Sequence, residues 1–381
     1  MRCTHWGRCS LLAAVVLTAC FGGAPLERPP PTVYTGSPPA QEEEYCAWFG
    51  DRRGETLYFG ESAFWSTFRA SGGDPKADLE VAGPAWIGRF DLMRETMLPP
   101  LEVGLPGDRS GVWDVLAHPN GRVYFTTYFG TSGFSDPVSG ESRRFEAAGK
   151  GLNELALGPE GSILVTRYGA SGRREQGGGV VVLDPDGSPI AEHPLAAPDG
   201  YIAAPKTAAY DPIQREIWVT TDLLPIDQEG GAPIRHDAYV LDLDGRELRR
   251  IADPEIQFIA FAADGTGYRA EVADRKLWLR VMPVAASGSA IGRLRIPLEH
   301  AFAAGIDFVQ DIQFAPDGRA VVTRWSGWIH VVDATGATQS LRLPPLARDG
   351  LYYTATINGQ RVCATYCGEV RVVCQDIDSL R

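Results

Sequence analysis

The sequence lacks the short strings that mark most metalloproteases, serine hydrolases and nucleotide-binding proteins. It contains no HExxH, no GxSxG, no Walker loop and no CxxC. Its nearest approach to a dinucleotide fingerprint, Gly265 and Gly267 followed by Ala270, lies in a predicted hairpin and not before a helix. These absences argue against the commonest zinc, serine-nucleophile and nucleotide chemistries. Any functional site must therefore be sought in the fold.

Positive charge is also scarce. The chain has 36 Lys and Arg against 48 Asp and Glu, a net charge of −12. Loss of Arg2 and Arg8 with the N-terminal segment described below would leave 34 against 48, a net charge of −14. Such an acidic chain lacks the electrostatic footprint of a nucleic-acid-binding protein and does not favour anionic lipid surfaces. Polar, aromatic or cationic ligands suit it better.

Beyond residue 20 no apolar run is long enough to cross a membrane, and the one prominent run lies before it. Leu11–Ala19 follows a basic stretch and is too short to span a bilayer, as in a signal peptide. The run ends in Leu17, Thr18, Ala19 and Cys20. This order of a branched apolar residue, two small residues and cysteine resembles the lipobox of bacterial lipoproteins. The alternative is an ordinary secretory signal with a chance cysteine.

The resemblance to bacterial lipoproteins implies that residues 1–19 are removed and that Cys20 carries acyl chains such as palmitate, which anchor the protein in a bilayer. No Asp follows Cys20. Among Gram-negative lipoproteins this favours the outer membrane, so we expect a protein of the cell envelope that faces the periplasm or the cell surface. Residues 20–44 are rich in proline and polar residues, and are predicted to form an extended tether.

The rest of the chain is a repeat. Seven copies of a short apolar strand, a turn and a β-branched or aromatic strand follow one another within residues 45–381. Their turn residues are Gly54, Gly121, Gly161, Gln214, Gly265, Gly318 and Gly359. Most spacings match a propeller blade of roughly 40–50 residues, and the apolar alternation has period two. We predict an all-β fold, a β-propeller of mostly four-stranded antiparallel sheets, with seven blades or with six if the first copy is irregular.

Cysteines are few, and their positions predict disulfides. Three of the seven belong to the predicted signal and lipid anchor: Cys3, Cys9 and Cys20. Four remain, which suits two disulfides in an exported chain with three possible connectivities. A type II′ turn at Gly368 would place Cys363 opposite Cys374, and Cys46 of the first blade would then meet Cys367 of the last. Free thiols or a metal site are the alternatives, although the spacing fits zinc poorly.

Aligning the copies on their turns predicts a polar channel mouth. The position seven residues before the turn, at the start of the innermost strand, holds an acid in three copies: Asp114, Glu154 and Asp311. The preceding position holds Trp113, Asn153, Lys206, Gln257 and Gln310 in successive copies. We therefore predict a metal or ligand site formed by Asp114, Asn153, Glu154 and Asp311. The alternative is that these side chains bind trapped water and neighbouring blades.

Strings such as Pro316-Asp317-Gly318 followed by Val-Val-Thr-Arg resemble the NHL, YVTN and SMP-30/gluconolactonase group of propellers. In SMP-30-like lactonases a Glu, an Asn and an Asp at such positions bind a divalent metal, and the Asp serves as base. The resemblance implies that Asn153 corresponds to the metal-binding Asn of those lactonases. Where the Asp is expected, this chain has Lys206, Gln257 or Gln310.

A second repeated string ends the second strands, on the same predicted face as the channel mouth. Its four copies are Thr126-Thr127-Tyr128, Thr166-Arg167-Tyr168, Thr220-Thr221-Asp222 and Thr323-Arg324-Trp325. It supplies a candidate rim: Tyr128, Arg167, Tyr168, Arg324 and Trp325. We expect Arg167 and Arg324 to pair with Glu154 and Asp311, and the aromatic side chains to suit carbohydrate or protein contact. The alternative is packing between blades.

The histidines offer no sequence motif. His193, His236 and His300 are expected to be isolated in loops, with structural or solvent-exposed roles.

Two functions follow from these observations. The first is a lipid-anchored binding or scaffolding propeller whose ligand is a protein or a carbohydrate. The bilayer is a second partner, through Cys20, and no nucleic acid is expected to bind. The alternative is a divalent-metal-dependent hydrolase of the SMP-30/gluconolactonase type. The lack of catalytic strings favours the first, so we expect a monomer that is not an enzyme. No cofactor is implied other than a divalent metal such as Ca²⁺.

Overall fold

The computed structural model describes residues 31–35, 46–62, 85–103, 111–127, 132–149, 151–168, 177–226, 233–252, 255–274, 276–282, 295–298, 307–346, 351–367 and 371–377. The predicted signal, Cys20, Tyr128 and His300 therefore lie outside the described residues. Within these ranges the chain is almost wholly β, with two 3₁₀ turns at Glu146–Ala148 and Pro159–Gly161. No helix in the described part is long and apolar enough to cross a membrane.

The strands of the described residues are, in chain order, β1 (Thr32–Tyr34), β2 (Cys46–Arg53), β3 (Thr56–Ser62), β4 (Trp86–Asp91), β5 (Thr96–Glu102), β6 (Val112–Ala117), β7 (Val123–Thr127), β8 (Ser132–Ser135), β9 (Ser142–Arg144), β10 (Leu152–Leu157), β11 (Ile163–Arg167), β12 (Gly179–Leu183), β13 (Pro189–Pro194), β14 (Tyr201–Asp211), β15 (Glu216–Pro225), β16 (Arg235–Leu241), β17 (Glu247–Ile251), β18 (Glu255–Phe261), β19 (Gly267–Ala273), β20 (Lys276–Met282), β21 (Arg295–Pro297), β22 (Val309–Phe314), β23 (Ala320–Arg324), β24 (Trp328–Val332), β25 (Thr338–Arg342), β26 (Leu351–Asn358), β27 (Arg361–Cys367) and β28 (Val372–Asp376).

The described strands form a propeller-like set of antiparallel sheets. Five sheets have four strands each: β6–β9, β10–β13, β14–β17, β18–β21 and β22–β25. The other eight strands make one sheet in the order β1-β28-β27-β2-β3-β4-β5, with β26 also paired to β27. The all-β propeller is confirmed, but the predicted count of seven or six separate blades is wrong, because five blades stand alone. The first and last repeats merge where Cys46 of β2 pairs with Cys367 of β27.

The innermost strands enclose a central channel. Each contacts the next around the molecule: β2 with β6, then β10, β14, β18, β22 and β26, and β26 with β2 again. Apolar side chains alternate between the two sides of each sheet, so the core lies between neighbouring sheets. In β11, Ile163 and Val165 pack against Tyr124 on the preceding sheet, while Leu164 packs against Val219 on the next.

The hairpin turns and disulfides follow the sequence prediction. Gly318 and Gly359 have φ values of +84° and +60°, the left-handed conformation that favours glycine in tight turns. Both predicted disulfides are confirmed. Cys363 is bonded to Cys374 within the β27–β28 hairpin, and Cys46 to Cys367 between β2 and β27.

Part of the predicted tether is structured. Thr32–Tyr34 forms β1, which pairs with Val372–Cys374 at the edge of the eight-stranded sheet. The Tyr34 ring lies 4.8 Å from the Phe90 ring, and Arg361 donates a hydrogen bond to Thr32. The compact unit accordingly runs from Pro31 to Ile377 and begins well before residue 45.

Candidate functional site

Each innermost strand contains a β-bulge near its start. Pairing with the second strand shifts register at Trp48–Phe49, Trp113, Asn153–Glu154, Lys206, Gln257, Gln310 and Tyr353–Thr354. A bulge adds an unpaired residue, redirects its side chain and increases the local twist. The repeated position singled out in the sequence is therefore a ring of bulges around one mouth of the channel.

Buried threonines of the second strands hold these bulges. Thr166 accepts a hydrogen bond from the Glu154 amide at 3.0 Å and donates one to the Lys206 carbonyl of the next sheet at 3.2 Å. Thr365 likewise donates to the Trp48 carbonyl at 2.9 Å. The threonine of the second repeated string thus has the structural role of joining one bulge to the next. This supports the packing interpretation for that part of the string.

A cavity of about 220 Å³ lies among the innermost strands. Four acidic residues line it: Asp51, Asp114, Glu154 and Asp311. Three of them were predicted from the turn alignment. Asp51 was missed, because β2 and β3 are joined by a two-residue turn in which Arg53 pairs with Thr56, so counting seven residues back from Gly54 reaches Ala47. Asn153 does not line the cavity, and its buried side-chain oxygen has no hydrogen-bond partner among the described residues.

The cavity carboxylates bind backbone amides of neighbouring sheets. Asp114 accepts a hydrogen bond from the Leu155 amide at 2.7 Å, and Asp51 accepts one from the Ala117 amide at 2.9 Å. Asp311 accepts one from the side-chain amide of Gln313 at 2.9 Å. No side-chain hydrogen bond of Glu154 is found within the described ranges.

Burial shifts the pKa values of these acids upward. It raises the pKa of Asp51 to about 6 and that of Asp311 to about 7, against the hydrogen bonds that favour the charged forms. Burial also raises the pKa values of Asp114 and Glu154 well above the usual range, and repulsion between the acids adds to the effect. Lys206 opposes the shift at Glu154. The cavity therefore holds carboxyl groups that gain a proton readily and would ionise beside a cation.

The geometry does not favour a metal centre. Among the described residues, no set of three or more His, Cys, Asp or Glu is arranged to hold a metal ion. The predicted set of Asp114, Asn153, Glu154 and Asp311 is thus not brought together as metal ligands. The hydrolase alternative gains no support over a binding role.

A second polar group lies where the β14–β17 and β18–β21 sheets begin at the channel mouth. Nδ1 of His236 lies 2.8 Å from Oδ1 of Asp222, and its Nε2 lies 3.7 Å from Oε1 of Glu255. Nζ of Lys206 lies 3.9 Å from the same Asp222 oxygen. Gln257 donates a hydrogen bond to Glu255 at 3.2 Å. We call Lys206, Asp222, His236 and Glu255 the mouth cluster.

The mouth cluster is partly open to solvent. Its four side chains are between about one fifth and one third exposed. The hydrogen bond with Asp222 raises the pKa of His236, and burial opposes this. The cluster is thus accessible to a small molecule and carries both signs of charge.

The prediction for His236 was wrong in its location. His236 belongs to β16 and pairs across the sheet with Asp222, and His193 likewise lies in β13 and not in a loop. The signal was present in the repeated string, because Asp222 ends it in this copy. The contact could be found only if β15 and β16 were recognised as paired antiparallel strands.

The predicted rim is only partly assembled. Arg167 pairs with Glu192 and donates to the Ala148 carbonyl, and Arg324 pairs with Asp307, so the expected partners Glu154 and Asp311 were wrong. The bulges explain this result, since they place Thr166 and Thr323, not the arginines, beside those acids.

The burial of its side chains further limits which predicted rim residues can contact a ligand. Arg324 is fully buried and cannot contact a ligand at the surface. Tyr168 and Trp325 are half-buried, and the Trp325 ring lies 5.7 Å from the Phe308 ring.

An aromatic sector, not foreseen as a group, occupies the other side of the mouth. The Phe49 ring lies 5.4 Å from the Trp113 ring and 5.2 Å from the Tyr353 ring. Trp48 contacts Trp113 at 4.6 Å. All four side chains come from bulge positions, so the sector arises from the same repeat as the acids. Phe49 also lines the acidic cavity.

Comparison of the sequence with protein-family models and with curated proteins found no match. Comparison of the structure found similar folds. One is a catalytically inactive variant of virginiamycin B lyase from Staphylococcus aureus with quinupristin, at TM-score 0.56 and 10% identity, covering 91% of this chain and 98% of that chain. Another is a streptogramin B lyase, at TM-score 0.56 and 11% identity, covering 91% and 97%. These likenesses show the propeller fold alone and do not support the narrower NHL, YVTN or SMP-30 grouping.

Proposed function

We propose that this chain is a lipid-anchored binding protein of the cell envelope, whose propeller binds a small polar ligand with a cationic group at the channel mouth. The observation that carries the proposal is that the charged groups of the mouth cluster are linked to the acids of the cavity. Lys206 interacts with Asp222 in the mouth cluster and with Glu154 in the cavity. A ligand that enters at the channel mouth first contacts the exposed hydrogen-bonding groups of the mouth cluster and then the buried carboxyl groups of the cavity.

The buried carboxyl groups define the ligand's charge. Four acids line one cavity, and their raised pKa values record the cost of burying them without a full complement of positive charge. A cation placed there would relieve that cost. The aromatic ring of Phe49 in the same cavity adds a surface on which a cation binds favourably.

The proposal is tested with two probes that differ in one charge, glucosamine and glucose. Titration calorimetry would use the full-length lipoprotein purified in detergent. We expect binding of glucosamine, with at least tenfold weaker binding of glucose. The heat of glucosamine binding should vary with the ionisation enthalpy of the buffer, because the acids release protons as they ionise. Glu154→Gln should weaken glucosamine binding tenfold or more.

Glu160→Gln is the matched control, because that side chain is 85% exposed and lies in a turn. It should bind as the unaltered protein does. Equal affinity for both sugars, or undiminished binding by Glu154→Gln, would contradict a cation-selective cavity.

The anchor is a separate part of this proposal, carried by the order Leu17, Thr18, Ala19, Cys20. Expression in a Gram-negative host with labelled palmitate should give a labelled protein in the outer-membrane fraction. Cys20→Ser should remove the label. Label retained by that variant would refute acylation at Cys20.

A lyase is the second candidate, favoured by the geometry of His236. With Asp222 accepting a hydrogen bond from Nδ1–H, the Nε2 atom of the neutral ring can accept a proton, at 3.7 Å from Oε1 of Glu255. The similar structures are lyases, and one contains quinupristin. Incubation with quinupristin, followed by chromatography, tests this candidate. Product formed by the unaltered protein and lost in His236→Gln would establish it, whereas intact quinupristin would exclude that substrate.

A further inference from the structure

Three arginines surround one buried glutamate in the β18–β21 sheet. Nη2 of Arg269 lies 2.6 Å from Oε2 of Glu271, and Nη2 of Arg280 lies 3.0 Å from Oε1. Nε of Arg295 lies 3.3 Å from the same Oε1. Glu271 is fully buried. Within the described ranges no second carboxylate pairs with these three guanidinium groups. The cluster therefore carries two positive charges in excess.

The arginines share one side of the sheet. Arg269 of β19 pairs across the sheet with Arg280 of β20, which pairs with Arg295 of β21. Paired residues project to the same side. Ile256 pairs with Glu271 and packs against Trp218 of the β14–β17 sheet, so this side faces that sheet. The three guanidinium groups thus form a row from the inside of the molecule outward.

Stability alone does not call for this arrangement. One guanidinium neutralises a buried carboxylate, and each further one adds like-charge repulsion. Burial lowers the pKa of Arg269; Glu271 opposes this, and the neighbouring charges of Arg280 and Arg295 lower it further. In a chain with an excess of acidic residues, residues 255–298 hold six Lys and Arg against four Asp and Glu.

The outer two arginines remain accessible. The Arg280 and Arg295 side chains are 34% and 31% exposed, whereas Arg269 is 10% exposed. The Arg295 guanidinium lies 4.2 Å from the centre of the Trp278 ring, which holds its plane. A guanidinium presents five donors in a flat fork, which matches the oxygens of phosphate or sulfate.

We propose that Arg269, Arg280 and Arg295 form a binding site for a phosphate-type oxyanion, either free or as a group on a larger molecule. A dianion would balance the two surplus charges, and the forks of Arg280 and Arg295 would bind its oxygens. This site is separate from the channel mouth, so it stands or falls independently of the cationic ligand proposed there.

Titration calorimetry of the full-length lipoprotein in detergent tests the site, with ionic strength held constant by chloride. The probes are inorganic phosphate, sulfate and glycerol phosphate. We expect phosphate to bind and Arg280→Gln to weaken binding at least tenfold. Binding of glycerol phosphate as tight as that of phosphate would assign the site to a phosphate group on a larger molecule, and binding of phosphate alone to the free anion.

Arg319→Gln is the control, because Arg319 pairs with an exposed aspartate in a turn and should leave phosphate affinity unchanged. If Arg280→Gln does not fold, Arg280→Lys keeps the charge, loses the fork and should still weaken binding. Absence of binding by all three probes, or equal affinity in the unaltered protein and the folded Arg280 variant, would overturn the proposal.

Discussion

The aspartates of the channel and those of the outer hairpin turns have pKa values shifted in opposite directions. Asp333 accepts hydrogen bonds from the Thr335 amide at 2.8 Å and the Ala337 amide at 3.0 Å, and its bonds to Thr335 lower its pKa. Burial raises the pKa of Asp311 to about 7, although it too accepts a hydrogen bond. Access to water, more than the number of hydrogen bonds, separates the two regions.

The two groups act on stability with opposite signs. A raised folded-state pKa means that the charged form is penalised, so stability falls as pH rises from about 4 through 7 at Asp311. A lowered folded-state pKa, as at Asp333, gives stability above the ordinary value of 3.8 that is lost as pH falls. Turn aspartates therefore stabilise the fold at neutral pH, while the channel acids reduce its stability there.

The largest expected effect comes from a third environment, a buried aspartate with a buried cation. Asp307 pairs with Arg324, and both are almost fully buried. Asp307→Asn should lower the free energy of unfolding by about 3–5 kcal/mol, because Arg324 loses its buried countercharge. Urea unfolding at pH 7 measures it. Asp317→Asn, in an exposed pair with Arg319, should cost below about 1 kcal/mol; equal losses would contradict the role of burial.

Asp311→Asn should have the opposite sign. Raising the pKa from 3.8 to about 7 corresponds to a penalty of at most about 4 kcal/mol once the group is ionised. The variant should therefore be more stable than the unaltered protein at pH 8 and nearly equal to it at pH 4. Urea unfolding at both pH values provides the test. A stability difference that does not change with pH would show that Asp311 is ionised freely.

The smallest effect is expected at the turns. Asp333→Ala removes hydrogen bonds to two backbone amides and should cost about 1 kcal/mol at pH 7. The cost should shrink as the pH falls below 3.8 through the lowered pKa of Asp333, because the native aspartate then takes up a proton. Thermal unfolding measured from pH 7 down to pH 2 provides the comparison. A cost that persisted in acid would mean that shape, not charge, sets the contribution of this turn.

Period-two alternation and turn residues were sufficient to predict the propeller, and hairpin register predicted the bond between Cys363 and Cys374. The meeting of the first and last repeats at Cys46 and Cys367 was also predicted. Their merger into one eight-stranded sheet was not, because strand pairing between residues 321 positions apart leaves no local signal in the sequence. The site was half predicted. Counting back from turns located Asp114, Glu154 and Asp311, but counting cannot detect a bulge.

Local irregularities of single hairpins account for the remaining errors. In β10 the register shift brings Leu152 opposite Arg167, so the arginine points away from Glu154 and toward Glu192. In β2 the turn after Arg53 has only two residues, so the count from Gly54 misses Asp51. The mouth cluster was missed because Asp222 and His236 meet through the pairing of β15 with β16, which the turn alignment did not include.

The strand β1 has a practical consequence for any shortened form of this protein. It covers the outer edge of β28, and the Arg371 amide donates to the Tyr34 carbonyl beside it. A recombinant chain that began at residue 45 would leave the amide and carbonyl groups of β28 without this partner. Exposed strand edges recruit strands from other molecules. Such a chain is expected to exchange segments or aggregate, whereas one that begins before Pro31 carries its own protection.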